Sequence, residues 1–217
     1  ITYKDKTIDI QEPQKVIDVF KNECNEHVIA CICNNQIQSL NHMLKEDTDI
    51  KFIDISDKDG LRIYIRGLSY IMAKAFSEVY PKALLTVDYQ LSNSMFFEID
   101  NMKVTDEMLE AVSNRMNEIV QEDLPITKVI MTKEEADEYY CEDYYNYFYG
   151  VMPISTKYMK IFKLEKYKHG FIIRYPNRRD ITKLQPFVDN PKLLSALQDY
   201  ENIHRLLDIN TLYKLNT

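Results

Sequence analysis

The chain contains 217 residues, of which 45% are hydrophobic and 28% are charged, and its formal net charge is −7. These proportions are typical of an ordinary soluble globular protein, and the length allows one large or two modest domains. The acidic balance disfavours nucleic acid as the main partner, because domains that bind it usually carry a basic face.

Several other classes of protein are disfavoured by features that the sequence lacks. No apolar run approaches the roughly 18 residues of a membrane span, and no signal-peptide pattern opens the chain. The 4 glycines form neither GxxxxGK[ST] nor GxGxxG, so a glycine-rich phosphate loop is absent. The 4 cysteines are scattered, which favours a reducing compartment. We therefore predict a cytoplasmic protein with no membrane partner.

The first 56 residues predict a small unit of strands around one short helix. Its elements follow the order strand, strand, helix, strand, strand, strand, at residues 1–4, 7–10, 14–20, 28–33, 36–40 and 49–55. Asn34-Asn35 forms the turn between two of these strands. The order is that of a β-grasp fold. Cys31 and Cys33 do not have a zinc-binding spacing, so we interpret them as core residues of a buried strand.

A long amphipathic helix is predicted from residue 61 to residue 80. Its apolar residues recur at steps of three and four and form one buried stripe: Leu61, Ile65, Leu68, Met72, Ala75, Phe76 and Val79. Pro81 ends the helix, and Asp57 or Asp59 is expected to cap its start.

Strands and helices alternate in the remainder of the chain. We predict strands at residues 84–88, 94–99, 127–131, 162–164 and 170–176. Thr105 caps a second helix, and the capping box Thr132-x-x-Glu135 opens a third. A further helix begins at Asn190-Pro191, and it is expected either to pack on its own domain or to dock a following one.

Several sequence runs carry a resemblance to known domains. The runs "Phe-Phe-Glu-Ile-Asp", "Arg-Met-Asn-Glu-Ile-Val" and "Val-Ile-Met-Thr-Lys-Glu-Glu-Ala" make residues 57–176 similar to the editing domain of threonyl-tRNA synthetase. The runs "Asn-Gln-Ile-Gln-Ser-Leu" and "Phe-Ile-Asp-Ile" make residues 1–56 similar to the TGS domain that precedes it in that enzyme. The resemblance implies an α+β fold, with a small β-grasp (TGS-like) domain, an antiparallel α+β editing-like domain and a C-terminal helical connector at residues 177–217.

The resemblance also implies a metal site, held in that family by two histidines one helical turn apart and by a Cys-x-Gly-x-His turn. The matching positions here are Arg66 and Tyr70 on the helix, and Cys141 and Tyr145 in the turn. A guanidinium cannot shed its proton to become a ligand, and a phenol is a poor substitute for imidazole. We therefore expect no metal, no catalytic residue and no hydrolysis by a metal-bound hydroxide. The stretch between the third helix and Cys141 is shorter than in the family. Two explanations stay open: the protein has lost a segment, or a loop near Tyr139 or Tyr140 is missing from the sequence.

These positions and one neighbour form the candidate ligand-binding site: Arg66, Tyr70, Cys141, Tyr145 and Tyr147. A fixed cation at Arg66 could replace the charge of the metal and hold a carboxylate or phosphate; a buried ion pair is the alternative. Tyr147 belongs to an aromatic strip at residues 144–149, which could pack across a cleft or stack on a base. The predicted ligand is accordingly a small anion or a nucleoside.

The arrangement of the last runs favours one interpretation of function. "Tyr-Tyr-Asn-Tyr-Phe-Tyr-Gly-Val-Met-Pro-Ile-Ser-Thr", "Gly-Phe-Ile-Ile-Arg-Tyr-Pro" and "Lys-Leu-Gln-Pro-Phe" look like the N-terminal half of bacterial uridine kinase-family proteins. That resemblance implies a non-catalytic accessory region of a nucleoside kinase, a transferase whose C-terminal kinase domain would be its partner. ATP and magnesium are expected only in that kinase domain, and no cofactor is expected here. The alternative is an aminoacyl-tRNA editing-type hydrolase or a tRNA-binding module.

Overall fold

The computed structural model of this chain describes residues 1–4, 6–129, 150–193, 195, 196 and 199. These residues form a mixed α/β structure whose sheets are antiparallel, as the α+β prediction requires. Over these ranges, no helix combines the length and the hydropathy of a membrane span.

The N-terminal region consists of short strands and a single helical turn. Strand β1 (Thr2–Tyr3) pairs with β2 (Lys6–Thr7), and β3 (Gln14–Lys15) pairs with β6 (Met43–Leu44). A three-stranded sheet has the order β5 (Gln36–Gln38), β4 (Val28–Cys33), β7 (Ile50–Asp54). Helix α1 spans only Val16–Val19, rather than residues 14–20, because the two residues before it pair with β6 instead.

The predicted turn at Asn34-Asn35 is confirmed. Both residues have a positive φ, of 47° and 65°, as the central positions of a tight two-residue hairpin require. The side chain of Asn34 adds two further bonds, because its amide donates to the carbonyl of Asp47 at 3.3 Å and its oxygen accepts from the amide of Asp49 at 2.9 Å. The turn therefore also holds the chain that leads into β7.

Strand β4 is buried on both faces and belongs to two hydrophobic cores. The smaller core lies within the N-terminal region, and the larger core contains the long helix that follows. Along β4, Val28, Cys31 and Cys33 pack in the smaller core, whereas Ile29, Ala30 and Ile32 pack in the larger one. The pairing with β7 shifts register between Val28 and Ala30, and this bulge lets two successive residues face the same side.

Helix α2 (Lys58–Val79) begins three residues before its predicted start and ends before Pro81, as predicted. Asp57 occupies the N-cap position, but its carboxylate accepts from the amide of Asp54 at 3.1 Å and makes no bond to the helix. In the first turn, Gly60 lies against strand β7: a Cβ built on it would be 1.8 Å from the carbonyl oxygen of Asp54. A glycine is therefore what allows the helix to start so close to the sheet.

A four-stranded sheet contributes side chains to the same hydrophobic core as α2. Its order is β10 (Lys163–Tyr167), β11 (Gly170–Arg174), β9 (Ser94–Ile99), β8 (Leu85–Leu91). Phe97 and Phe171 stack at 5.4 Å between ring centroids, and both belong to the larger core with α2 and α3 (Asp106–Gln121). On the opposite face, Phe96 packs against Tyr167, which in turn contacts Phe187 at 5.5 Å.

Several predicted strands differ from the structure in their bounds. The strand predicted at residues 7–10 is β2 at Lys6–Thr7, and the strand predicted at residues 162–164 is β10 at Lys163–Tyr167. Strand β8 continues to residue 91, beyond the predicted end at residue 88, because Ser92 has a φ of 52° and closes a tight turn to β9. Residues 127–129 lie in no strand, so the predicted strand at 127–131 is wrong there. The backbone hydrogen bonds with the segment at 154–156 end at Ile126, and the side chain of Val129 is 51% exposed. The remainder of that strand and the predicted third helix lie outside the described residues.

The predictions for α3 and for the C-terminal helix start are confirmed. Thr105 caps α3, since its hydroxyl accepts from the amide of Met108 at 3.2 Å. Asn190 has the corresponding role before the next helix, because its side-chain oxygen accepts from the amide of Leu193 at 3.2 Å. Residues 191–193, 195, 196 and 199 are helical.

Arg115 of α3 links the two long helices. Its guanidinium reaches Glu78 of α2 at 2.5 Å, Glu118 at 2.9 Å and Glu122 at 2.6 Å, and Lys74 pairs with Glu78 at 2.7 Å. Burial raises the pKa of Glu78, but the hydrogen bonds from Lys74 and Arg115 outweigh it, so the pKa is lowered below its ordinary 4.5. This partly buried network fixes the packing of α2 against α3.

Replacement of Gly60 by alanine is expected to lower the free energy of unfolding by about 2 kcal/mol or more. The new Cβ would overlap backbone atoms of Asp54, and these cannot move away as the end of a flexible side chain could. The matched control is Lys58→Ala, in the same helical turn but exposed, which is expected to change stability by less than about 0.5 kcal/mol. Urea unfolding measures both. Equal effects of the two substitutions would contradict the close approach.

Glu78→Gln is expected to cost about 1 kcal/mol at neutral pH, because it breaks the charged contacts of Arg115 and Lys74. The folded pKa of Glu78 is lowered, so its contribution is present above the ordinary value of 4.5 and is lost as the pH falls through the folded pKa. The stability difference from the wild-type chain should therefore shrink in acid. Glu110→Gln, exposed on α3, is the control; a pH-independent difference for Glu78→Gln would refute the assignment.

Candidate functional site

The structure describes two of the five predicted site residues. Arg66 and Tyr70 lie one turn apart on α2, as their spacing predicts, and both are half-buried. Tyr70 packs against the larger core. Cys141, Tyr145 and Tyr147 lie outside the described residues, so their grouping with Arg66 stays a prediction.

The chain returns across α2 next to Arg66. We call residues 150–156 the crossing segment. The Nη1 atom of Arg66 donates a short hydrogen bond to the carbonyl oxygen of Val151. Gly150 has a φ of +93°, and a Cβ built on it would be 2.9 Å from Nη1 of Arg66, so a glycine is favoured there by both backbone conformation and space.

A second glycine sets how closely the crossing segment approaches the helix. A Cβ built on Gly67 would lie 2.7 Å from Sδ of Met159 and 2.8 Å from Cγ of Pro153. Nearby, the hydroxyl of Tyr64 donates to the carbonyl of Ile161 at 2.8 Å and accepts from its amide at 3.0 Å, and burial raises the pKa of that hydroxyl. These contacts give α2 a fixed position beneath the crossing segment.

The far end of the crossing segment is anchored to the end of α3. The hydroxyl of Thr156 donates to the carbonyl of Ile119 at 2.7 Å and accepts from the amide of Leu124 at 2.9 Å. The hydroxyl of Ser155 donates to the carboxylate of Asp123 and caps a 3₁₀ helix at Thr156–Tyr158. The hydrogen bond from Ser155 lowers the pKa of Asp123. Both hydroxyls therefore have structural roles.

The electrostatics of Arg66 are dominated by burial and by a neighbouring positive charge, which outweigh the opposing effect of Asp59 on its pKa. Burial lowers the pKa of its guanidinium, and the positive charge of Arg62 lowers it further. An arginine remains charged at neutral pH despite such a shift. Within the described residues, no carboxylate lies within ion-pair distance of Arg66, so this part of the chain offers no partner for the buried ion pair that was the alternative.

Arg66 continues a row of positive residues that the sequence analysis missed. Lys58, Arg62 and Arg66 follow one another at four-residue intervals and so lie along one side of α2. Lys58 and Arg62 are exposed, and Arg62 pairs with Asp59 at 3.0 Å. The four-residue spacing could have been noticed in the sequence. The contact of Arg66 with Gly150 and Val151 could not, because these two residues follow Arg66 by more than eighty positions in the chain.

The donor groups described here do not fit the metal site that the resemblance implies. A guanidinium offers no lone pair to a cation, and Nη1 of Arg66 already donates to a carbonyl. In the ranges that the structure covers, no three His, Cys, Asp or Glu residues are grouped so that they could hold a metal ion.

Comparisons with known proteins relate the chain to threonine–tRNA ligases. No family model matches it. It is 29% identical over 133 residues to threonine–tRNA ligase of Chlamydia caviae, which covers 60% of this chain and 21% of that protein. It is 29% identical over 141 residues to the enzyme of Clostridium tetani (63% and 22%), and 27% identical over 143 residues to that of Clostridioides difficile (64% and 22%). The chain thus spans about a fifth of the length of these relatives.

The comparisons overturn one interpretation and support its alternative. The expected accessory region of a uridine or nucleoside kinase, a transferase, is wrong, because the similar proteins are consistently threonine–tRNA ligases. The kinase interpretation rested on the arrangement of three runs, at residues 144–156, 170–176 and 183–187, of which residues 144–149 lie outside the described residues. The chain is similar to threonyl-tRNA synthetases over about 60% of its length.

Proposed function

We propose that this chain is a tRNA-binding module in which Arg66 contacts an anionic group of the tRNA. The observation that carries the proposal is a half-buried guanidinium with no carboxylate partner among the described residues. The similarity to threonine–tRNA ligases, which by name act on tRNA, supports tRNA as the source of the anion.

The geometry of Arg66 suits a phosphate. One N–H of the guanidinium is fixed by the carbonyl of Val151, which orients the plane of the group. The remaining N–H groups form a rigid fork that matches the oxygens of a phosphate or carboxylate, and partial burial strengthens such a contact relative to one in bulk water.

The row along α2 extends this contact. Four helical residues span about 6 Å along the axis, so Lys58 and Arg62 lie at successive steps beyond Arg66. A short positive track of this kind can follow a phosphate backbone locally, even though the chain as a whole is acidic. We expect few phosphate contacts and a correspondingly shallow dependence of affinity on salt.

We also infer the finer domain arrangement from the resemblance. Residues 1–56 would be a TGS-like β-grasp domain, residues 57–176 an editing-like domain and residues 177–217 a helical connector. The order of β1, β2, α1, β4, β5 and β7 is compatible with a β-grasp unit. In this arrangement Arg66 would lie on the first long helix of the second domain, at the position where the resemblance implies a metal ligand.

Arg66→Ala is expected to weaken binding of threonine tRNA about tenfold, because one charge-assisted contact of about 1.5 kcal/mol is lost. Arg178→Ala is the control: it removes the same charge from an exposed side chain that does not belong to the row along α2, and should change the dissociation constant by less than about threefold. Fluorescence anisotropy with labelled tRNA at two salt concentrations measures both variants.

The same samples test the alternatives. Arg66→Lys keeps the charge but not the planar fork, so it should recover only part of the affinity. Equal affinities of the wild-type chain and Arg66→Ala would refute the role of Arg66, and no binding of the wild-type chain at low salt would refute the module. Release of threonine or serine from aminoacyl-tRNA would identify a hydrolase instead.

A further inference from the structure

Two cysteines that the proposed function does not use lie side by side on β4. Cys31 and Cys33 are two positions apart on one strand, so their side chains point to the same face. Their sulfur atoms are 3.6 Å apart, and both residues belong to the smaller core. Cys31 also lies 3.6 Å from the carbonyl oxygen of Gln38 and 3.8 Å from that of Ser39.

The two cysteine residues differ in their exposure. Cys33 lies in the wall of an open groove of about 410 Å³, and His42, Lys45 and Gln38 also line it. Cys33 is 5% exposed, whereas Cys31 is fully buried. A small reagent that enters the groove therefore meets Cys33 first.

The two thiols also differ in acidity. The hydrogen bond between them lowers the pKa of Cys33, because Cys31 can donate its proton to the Cys33 sulfur. The same bond raises the pKa of Cys31, and burial raises it further. Cys33 is thus the better candidate for the thiolate, which is the nucleophilic form of cysteine.

We propose that Cys31 and Cys33 form a peroxide-sensitive dithiol, in which Cys33 is the attacked thiol and Cys31 the resolving one. The geometry that carries the proposal is the contact of two sulfurs on one strand face, with only one of them open to the groove.

The reaction balances in two steps. In the first, the Cys33 thiolate attacks one oxygen of hydrogen peroxide, the O–O bond breaks, and the leaving hydroxide takes a proton to become water, which leaves a sulfenic acid on Cys33. In the second, the Cys31 sulfur attacks the Cys33 sulfur, the S–O bond breaks, and the hydroxide leaves as water with the proton of Cys31. Two thiols and one peroxide thus give one disulfide and two waters.

Closure of the disulfide requires a local change at the end of β4. The sulfurs have to move from 3.6 Å to about 2.05 Å apart. Cys33 is the last residue of β4 and precedes the Asn34-Asn35 turn, but it still pairs with Gln36 of β5 and Ile50 of β7. Two alternate residues of a strand have Cα atoms about 6.6 Å apart, near the upper limit for a disulfide, so the end of β4 has to distort and the bond is strained. We expect the disulfide to be reversible by a small dithiol reductant.

The test uses the full chain with Cys24→Ser and Cys141→Ser, which leaves only the two thiols in question. After hydrogen peroxide, the intact mass should decrease by two hydrogens, and both thiols should be lost to alkylation until dithiothreitol restores them. In the same background, Cys31→Ser should accumulate a sulfenic acid on Cys33 that dimedone traps. Cys33→Ser should leave Cys31 reduced.

Other outcomes would overturn the proposal. These are two free thiols after peroxide, a sulfinic acid on Cys33 while Cys31 is present, or a disulfide that links two chains. If the substituted chains do not fold, as judged by circular dichroism, the unsubstituted chain is oxidised and its peptides are fragmented. A bond between Cys31 and Cys33 supports the proposal, and a bond from either of them to Cys24 overturns it.

Discussion

The packing of helix α2 is the constraint on which the rest of the structure depends. Its first turn lies against strand β7 at Gly60, its middle contacts the crossing segment at Gly67, and its last turns pack on the four-stranded sheet, where Phe76 lies 5.4 Å from Phe171. Three of the 4 glycines of the chain, Gly60, Gly67 and Gly150, thus lie at close contacts of this one helix. Because the helix cannot shift without disturbing all these contacts, the side chains on its outer face keep a fixed position.

That fixed position supports the proposed role of a single arginine in an acidic protein. An arginine on an exposed loop would lose side-chain entropy on binding an anion and would be screened by salt. Arg66 instead starts from a rigid helix, is held by the carbonyl of Val151, and is partly shielded from water. A local cation of this kind can select an anionic group while the net charge of −7 keeps non-specific attraction to nucleic acid low.

The sequence was most informative where local pattern determines structure. The spacing of three and four predicted α2 and α3, and the same rule placed Arg66 and Tyr70 on one helix. Contacts between distant segments were not predictable. The approach of Gly150 to Arg66 and the bulge in β4 produce no pattern in the spacing of apolar and polar residues. For Cys31 and Cys33, the sequence predicted one feature and not another. Their spacing placed them on one face of a strand, but the groove at Cys33 is formed with residues from 42–48, which lie elsewhere in the sequence. Family resemblance had its own limit, since the arrangement of the last runs was assigned to a kinase, whereas the similar proteins are threonine–tRNA ligases.

The position of β4 between the two cores determines how local openings of the chain are coupled. A strand with apolar residues on both faces cannot separate from one core without exposing surface that belongs to the other. Amide protons of β4 should therefore exchange with solvent only through opening of the whole molecule, whereas those of the short strands β1 and β2 exchange through local fraying. In this respect the N-terminal region behaves as a layer of the larger fold, even though its sequence has the pattern of a separate small domain.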